Sequence, residues 1–374
     1  HSACSRILRR EAHHLGYRSA FSIYDSADSL RLVTVSVKDL DLDPKRFPPR
    51  SIRATISNAK NELIDYETFA ASDSGFYHEK IADVYRLYQQ RLVEASAMDF
   101  DDLLMLTVEL FRAYPEVLQR YHDRFEYVLV DEYQDTNHAQ YVLVRLLTEK
   151  HRNLCVVGDG DQSIYRFRGA DIRNINEFEK DFPDAQIVML EQNYRSTETI
   201  LQAANAVISN NPNRKPKRLW TEFGHGEKIT TYEAEDEHDE AAFVAEAVGE
   251  LRAAGQDARD IAVFYRTNAQ SRVLEETLVN FGQPYQVVGG LKYYDRREVK
   301  DVLAYHRTDT NPEDTVAVKR HVNVPKRAIG NTSDAHVDRH AEDDGVAFFE
   351  ALRRASDNPR LSSRAQRAML EFVG

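Results

Sequence analysis

The chain has 374 residues, 42% apolar and 29% charged, with 49 Lys and Arg against 61 Asp and Glu for a net charge of −12. That length exceeds one ordinary domain, and the balance excludes a disordered or fibrous chain. No apolar run reaches a membrane span, and Cys4 and Cys155 are too few and too distant for a disulfide framework or a cysteine zinc site, which suits a reducing, cytoplasmic compartment.

The opening "HSACSRILRR" places arginines at helical spacing where a signal peptide needs an apolar core. It also lacks an initiator Met, which sets the expectation that the chain starts inside a longer protein. Residues 2–37 read mostly as helices, and three prolines in "DPKRFPPRS" then break the pattern. "SDSGFYHEKIADVYRLYQQRLVEASA" predicts an amphipathic helix with Ile81, Val84, Tyr85, Tyr88 and Leu92 on one side. From Asp99 the texture changes to helix "DFDDLLMLTVELFRAY", strand "YVLVDE", helix "AQYVLVRLLTEK", strand "NLCVVGD", a helical stretch and strand "AQIVMLEQN". This alternation predicts an α/β fold with a parallel sheet, which presents ligands at the carboxyl ends of its strands.

A second alternating block, "KITTYEA", "IAVFYRTN" and "YQVVGG", predicts a second α/β domain joined near Gln192. Within it the acidic "EAEDEHDE" precedes the helical "AAFVAEAVGELRAAG" and suits the positive end of that helix. After "GGLKYYDRREVKDVLAY" the chain reads as helical again. The net charge argues mildly against a nucleic-acid partner, since phosphate binding is driven by Lys and Arg, yet "NRKPKRLW" and "VPKRAIGN" are basic clusters.

Three strand ends carry candidate chemistry. Asp131 and Glu132 follow the first; a carboxylate there can hold magnesium and its neighbour can orient a water. The second ends in Gly158 and Asp159, with Gln162 able to meet a terminal phosphate or that water. The third leads to "LEQNYRST", where Arg195 can supply charge to a phosphoryl transition state and Tyr194 can stack on a base. Convergence of these tips on one nucleotide-sized cleft is the geometric expectation. In "SIYRFRG", Tyr165 and Phe167 project to one side of an extended segment, flanked by Arg166 and Arg168. Aromatic faces interleaved with guanidinium groups suit single-stranded nucleic acid, although two core aromatics would give the same pattern.

"FDDLL", "LVDEYQDTN", "VGDGDQSIYRFRGADI", "LEQNYRSTETIL", "NRKPKRLW", "YRTNAQSRVLEE" and "GGLKYYDRREVKD" occur in that order. Together they closely resemble superfamily 1 DNA helicases of the UvrD/PcrA/Rep type along nearly all of the chain. The resemblance implies two RecA-like, P-loop NTPase-type parallel-sheet motor domains with inserted all-helical subdomains. Mapped here, residues 1–14 and 94–190 resemble motor domain 1A, 15–93 insert 1B, 191–296 the first part of motor domain 2A and 297–374 the first part of insert 2B. It further implies 3′-to-5′ movement on single-stranded DNA with unwinding at duplex junctions, in repair or replication, using ATP and Mg2+. By resemblance, Asp131 is the magnesium ligand, Glu132 the catalytic acid/base, Gln162 the γ-phosphate sensor, Tyr194 the residue against adenine and Arg195 an arginine finger. Tyr165, Phe167 and Arg168 resemble the residues that stack on or hold the strand. Phe167 stands where relatives often carry Trp, and Ala328 where they commonly carry Gly.

A phosphate loop needs G-x-x-x-x-G-K-[ST], yet none of the 15 glycines is followed by Lys. The expectation is therefore that this chain alone does not hydrolyse ATP, and a non-catalytic single-strand-binding module is the competing description. A helicase–nuclease relative is a third reading, without a nuclease-type carboxylate–lysine cluster to support it. In the last helical segment His306, His321, Asp334 and His340 fall where apolar groups are expected. They read either as ordinary polar positions or as a muted surface, and His336 with His340 has the i, i+4 spacing of a metal pair.

Overall fold

A computed structural model of the chain describes residues 1–165, 169–176, 178–211, 217–288, 297–327 and 329–373. Its contacts form two compact units, one of residues 1–187 with 297–374 and one of residues 188–296.

Among the described residues the first unit has three apolar cores. Helix Ser2–Glu11 buries Cys4, Ile7 and Leu8 against helix Phe100–Ala113, which contributes Leu103, Leu104, Leu110 and Phe111. The second helix starts where it does because Asp99 accepts from the Asp102 N–H at 2.7 Å while the Asp102 carboxylate accepts from the Asp99 N–H at 3.0 Å, a reciprocal capping box. The second core joins helices Ser26–Asp39, Pro49–Asn61 and Phe76–Glu94. All five residues of the expected stripe on the last of these, Ile81, Val84, Tyr85, Tyr88 and Leu92, are buried. Each such side chain contributes about 1.5–3 kcal/mol of burial free energy, so the stripe fixes the helix in place. A third core, with Val318, Val337, Phe348, Leu352 and Met369, holds the C-terminal helices.

The C-terminal stretch also packs on the N-terminal helices. Lys300 lies 2.7 Å from Asp25 and Arg307 2.7 Å from Asp28. The buried Tyr24 hydroxyl donates to Asp314 Oδ1 at 2.8 Å, and Asn311 Nδ2 donates to the Ala95 carbonyl at 2.7 Å.

Among the described residues there are four short strands. β1 (Ser22–Tyr24) pairs parallel with β2 (Ala97–Asp99), and β3 (Val128–Val130) pairs parallel with β4 (Leu154–Val156). β3 and β4 match the sequence expectation, and helix His138–Thr148 connects them as a parallel crossover requires. β1 lies where helix was expected, because three residues are too few to display an alternating pattern. Residues 186–190 form no ladder; the nearby pairing is a single parallel bridge between Gln192 and Trp220. Among the described residues, 228–234, 261–267 and 285–288 likewise form no strand. Their apolar side chains stand open, with Leu190 76%, Phe264 93% and Val288 89% exposed. An apolar run marks residues suited to burial, but a strand exists only when another backbone lies within hydrogen-bonding distance.

Helices of the second unit follow expectation. Glu237–Ala253 opens with Asp236 accepting from the His238 and Asp239 N–H groups, and with Glu237, Asp239 and Glu240 in its first turn. The acidic run is therefore a helix start.

His321 corrects one expectation. It is 2% exposed, its Nδ1 bonds the Ala317 carbonyl at 2.7 Å, and its ring lies 4.1 Å from Tyr305 and 5.1 Å from Phe372. It is a satisfied core histidine, not part of a muted surface, and burial pushes its pKa down. His306 is exposed, Asp334 and His340 are half-buried, and His336 and His340 join no metal-ligand cluster among the described residues. Ala328 lies outside the described residues.

Candidate functional site

β3 delivers Asp131 and Glu132 at its carboxyl end, both exposed. The Glu132 N–H donates to Asp131 Oδ1 at 2.9 Å, which turns the chain sharply. Glu132 adopts φ +50°, the left-handed region, at a cost of about 1–2 kcal/mol for a residue with a Cβ. Local bonds hold it there. The Asp135 N–H donates to the Glu132 carbonyl at 2.9 Å, and the Tyr133 N–H donates to the Val157 carbonyl at 3.0 Å. The turn is thus tied to the end of β4.

The side chain of Gln134, 1% exposed, completes the junction. Its Nε2 donates to Glu132 Oε2 at 2.7 Å and its Oε1 accepts from the Asp159 N–H at 2.9 Å. Gly158 makes room for it: a Cβ there would stand 2.7 Å from Gln134 Oε1 and 2.9 Å from Ile175 Cδ1. Asp159 Oδ2 in turn accepts from Gln162 Nε2 at 2.8 Å, while its Oδ1 accepts from the Asp161 N–H at 2.9 Å. Asp131, Glu132 and Gln162 are therefore connected by one chain of hydrogen bonds across the β3 and β4 tips. Sequence reasoning named these three and passed over Gln134. Its sole signal there was an uncharged polar residue inside an acidic motif, which resembles surface decoration until the turn is seen to bury it.

The donor set suits a hard divalent cation. Magnesium takes oxygen ligands from one or two carboxylates and leaves the remaining positions to water and phosphate, and Asp131 with Glu132 offers that at a solvent-facing tip. The phosphate cradle has no counterpart, since no glycine–lysine pair exists in the chain.

Beyond the tip, Asn137 caps helix His138–Thr148 by accepting from the Gln140 N–H at 2.8 Å. Its Nδ2 donates to Asn61 Oδ1 at 2.5 Å. Asn61 lies beside Gly169, which has φ +85°. The Asp171 N–H and Asn174 Nδ2 both bond the Thr136 carbonyl, at 2.9 and 3.0 Å. Of the residues expected to meet a nucleic-acid strand, Tyr165 is half-buried and its carbonyl accepts from the Ala170 N–H at 3.3 Å. Phe167 and Arg168 lie outside the described residues.

Tyr194 and Arg195 belong to the second unit. Tyr194 is 74% exposed and its hydroxyl donates to Gln192 Oε1 at 2.8 Å. Asn193 Oδ1 accepts from the N–H groups of Arg195 and Ser196 at 2.9 and 2.7 Å, an Asx turn that presents the exposed Arg195. The Asn193 N–H donates to the Trp220 carbonyl at 2.7 Å and anchors that turn.

Comparison with known proteins gives concordant matches. Residues 1–183 match the UvrD/REP helicase N-terminal domain and residues 188–358 the UvrD-like helicase C-terminal domain. The chain is 52% identical over 373 residues to the ATP-dependent DNA helicase PcrA of Bacillus subtilis, covering 100% of this chain and 50% of that protein. It is 51% identical over 387 residues to the ATP-dependent DNA helicase UvrD1 of Mycobacterium tuberculosis, again 100% of this chain and 50% of the relative. With PcrA of Staphylococcus aureus it shares 49% identity over 372 residues, 100% of this chain and 51% of the relative. The chain spans about half the length of the relatives it matches.

Proposed function

Because the chain belongs to the UvrD/PcrA/Rep family of superfamily 1A DNA helicases, we propose that it forms part of an ATP-dependent helicase. In this reading the motor moves 3′ to 5′ on single-stranded DNA and opens duplexes at junctions during repair or replication. The division proposed is RecA-like motor domain 1A in residues 1–14 and 94–190, insert 1B in 15–93, motor domain 2A beginning at 191–296 and insert 2B beginning at 297–374. No described helix is long and apolar enough to cross a membrane, and a cytoplasmic setting is part of the proposal.

The observation that carries the reading is the hydrogen-bonded set Glu132–Gln134–Asp159–Gln162 at adjoining strand tips. Asp131 would hold magnesium, which neutralises charge on the phosphates when bound. Glu132 would accept the proton of the attacking water, and Gln162 would orient that water or the terminal phosphate. Tyr194 would lie against the adenine, and Arg195 would supply positive charge to the transferring phosphoryl group. Tyr165, Phe167 and Arg168 would hold the DNA strand by stacking and charge.

One sequence feature favours a second description for the isolated chain: without a glycine–lysine phosphate loop it acts as a single-strand-binding module that does not turn over ATP. The test compares this chain with the longest reading frame that contains it. DNA-stimulated ATP hydrolysis and unwinding are expected in the longer protein and are lost in Glu132→Gln, while the chain alone binds single strands without hydrolysis. Hydrolysis by the purified chain that disappears in Glu132→Gln would overturn the second description. A longer protein with no DNA-stimulated hydrolysis would overturn the first.

A further inference from the structure

We infer that Gln134 is a positioning residue that locks Glu132 into its working geometry and ties that geometry to the Asp159–Gln162 turn. The inference rests on the catalytic reading of Glu132 and Gln162 and deepens it.

A carboxylate that must take a proton from water has to point in one direction, yet Glu132 is exposed and has a left-handed backbone. The Gln134 amide supplies the constraint. It is buried, and both of its polar atoms are bonded, one to each strand tip: Nε2 to Glu132 Oε2 at 2.7 Å and Oε1 to the Asp159 N–H at 2.9 Å. An amide donates from its nitrogen and accepts at its oxygen within one fixed plane and carries no charge. Glu in its place would repel Glu132, and Met would fill the volume but make neither bond.

Asp159 has its backbone N–H on Gln134 and its carboxylate on Gln162, so rotation of Gln162 toward a ligand gives up the bond to Asp159 Oδ2 and alters the strain on the Asp159 turn. That strain reaches Glu132 through a single intervening side chain. Gly158 fits this role, because a Cβ at that position would collide with the Gln134 carbonyl oxygen at 2.7 Å. The geometry thus makes Gln134 the element by which occupancy near Gln162 alters the aim of Glu132.

Two measurements test this. In the longest reading frame containing the chain, Gln134→Met and Gln134→Glu are expected to lower kcat about 10–100-fold while KM for ATP stays within about twofold, the signature of a misaimed group. Gln134→Met combined with Glu132→Gln should be no slower than Glu132→Gln alone, since the amide acts through the carboxylate. Additive losses, or a KM that rises with kcat unchanged, would overturn the positioning role. If Glu132→Gln itself turns over at the unaltered rate, the catalytic reading of Glu132 fails and this inference falls with it. If Glu132→Gln is inactive and Gln134→Met is fully active, the present inference alone fails. The second measurement uses the chain itself. Amide exchange at Asp159 should accelerate at least tenfold in Gln134→Met while the β3 and β4 amides keep their protection. Unchanged protection at Asp159 would show that the relay bond does not exist in solution.

Discussion

Replacing Lys60 by Met tests a fully buried charge. Its ammonium is fully buried, 2.8 Å from Asp99 Oδ2 and 2.7 Å from Asp102 Oδ1. The Tyr88 hydroxyl donates to the same Asp99 oxygen at 2.8 Å, and Gln89 Nε2 lies 3.2 Å from Asp102 Oδ1. Two carboxylates at one helix start repel each other, and the lysine between them is what lets both be buried. Removing one partner of a buried ion pair costs about 3–5 kcal/mol. The lower end is expected near neutral pH, because Asp102 already holds its proton up to about 7 and can retain it when the cation goes. With a urea slope of about 2–3 kcal/mol/M, the unfolding midpoint of that unit should fall by about 1–1.5 M. Far-UV circular dichroism is the right probe. The single tryptophan, Trp220, belongs to the other unit and would report the wrong transition. Adding Asp99→Asn should restore more than half of the loss, since Asn still caps the helix and removes the anion that the lysine leaves unpaired. A loss below about 1 kcal/mol in Lys60→Met with an unchanged slope would refute the claim that this lysine neutralises the cluster.

The same cluster sets a pH dependence. Burial and the neighbouring Asp99 raise Asp102 to about 7, above its unfolded value of 3.8, so between those two pH values the folded state holds a proton that the unfolded state has released. Stability from this group is therefore present below the unfolded pKa and is lost as pH rises toward 7, by at most about 1.4 kcal/mol per unit. Asp102→Asn should flatten that part of the urea stability profile, and an unaltered profile would count against the raised pKa. Gly226→Ala should destabilise residues 188–296 by more than about 1 kcal/mol, because Gly226 has φ +66° and the new Cβ would stand 2.5 Å from Thr197 Cγ2. Trp220 fluorescence during urea unfolding reads this, and an unmoved midpoint would refute it. Tyr165→Ala should weaken single-stranded DNA binding about 5–150-fold by fluorescence anisotropy with little change in the salt slope, since it removes stacking worth about 1–3 kcal/mol and no charge. A changed slope at equal affinity would show that Tyr165 does not stack.

Motif order, helical periodicity and capping chemistry were readable from the residues alone. The stripe from Ile81 to Leu92 declared its buried face, and the acids around Asp236 declared a helix start, because both signals are local and repeat with a helical turn. Asp131, Glu132 and Gln162 were readable as candidates because strand ends concentrate chemistry in parallel sheets. Three things came only with the tertiary structure. Which apolar runs find a paired backbone was one: residues 128–130 do and residues 186–190 do not, since pairing depends on a partner distant in sequence. Another was the burial of polar groups. His321, Lys60 and Gln134 look like surface residues in a linear pattern, and each becomes an interior residue only when carbonyls, carboxylates or amides from other elements arrive to satisfy it. The third was the left-handed turn at Glu132, which no propensity predicts because the bonds from Gln134, Asp135 and Val157 hold it against its local cost. Local periodicity belongs to the sequence, whereas satisfaction of buried polar atoms is a property of the assembled whole.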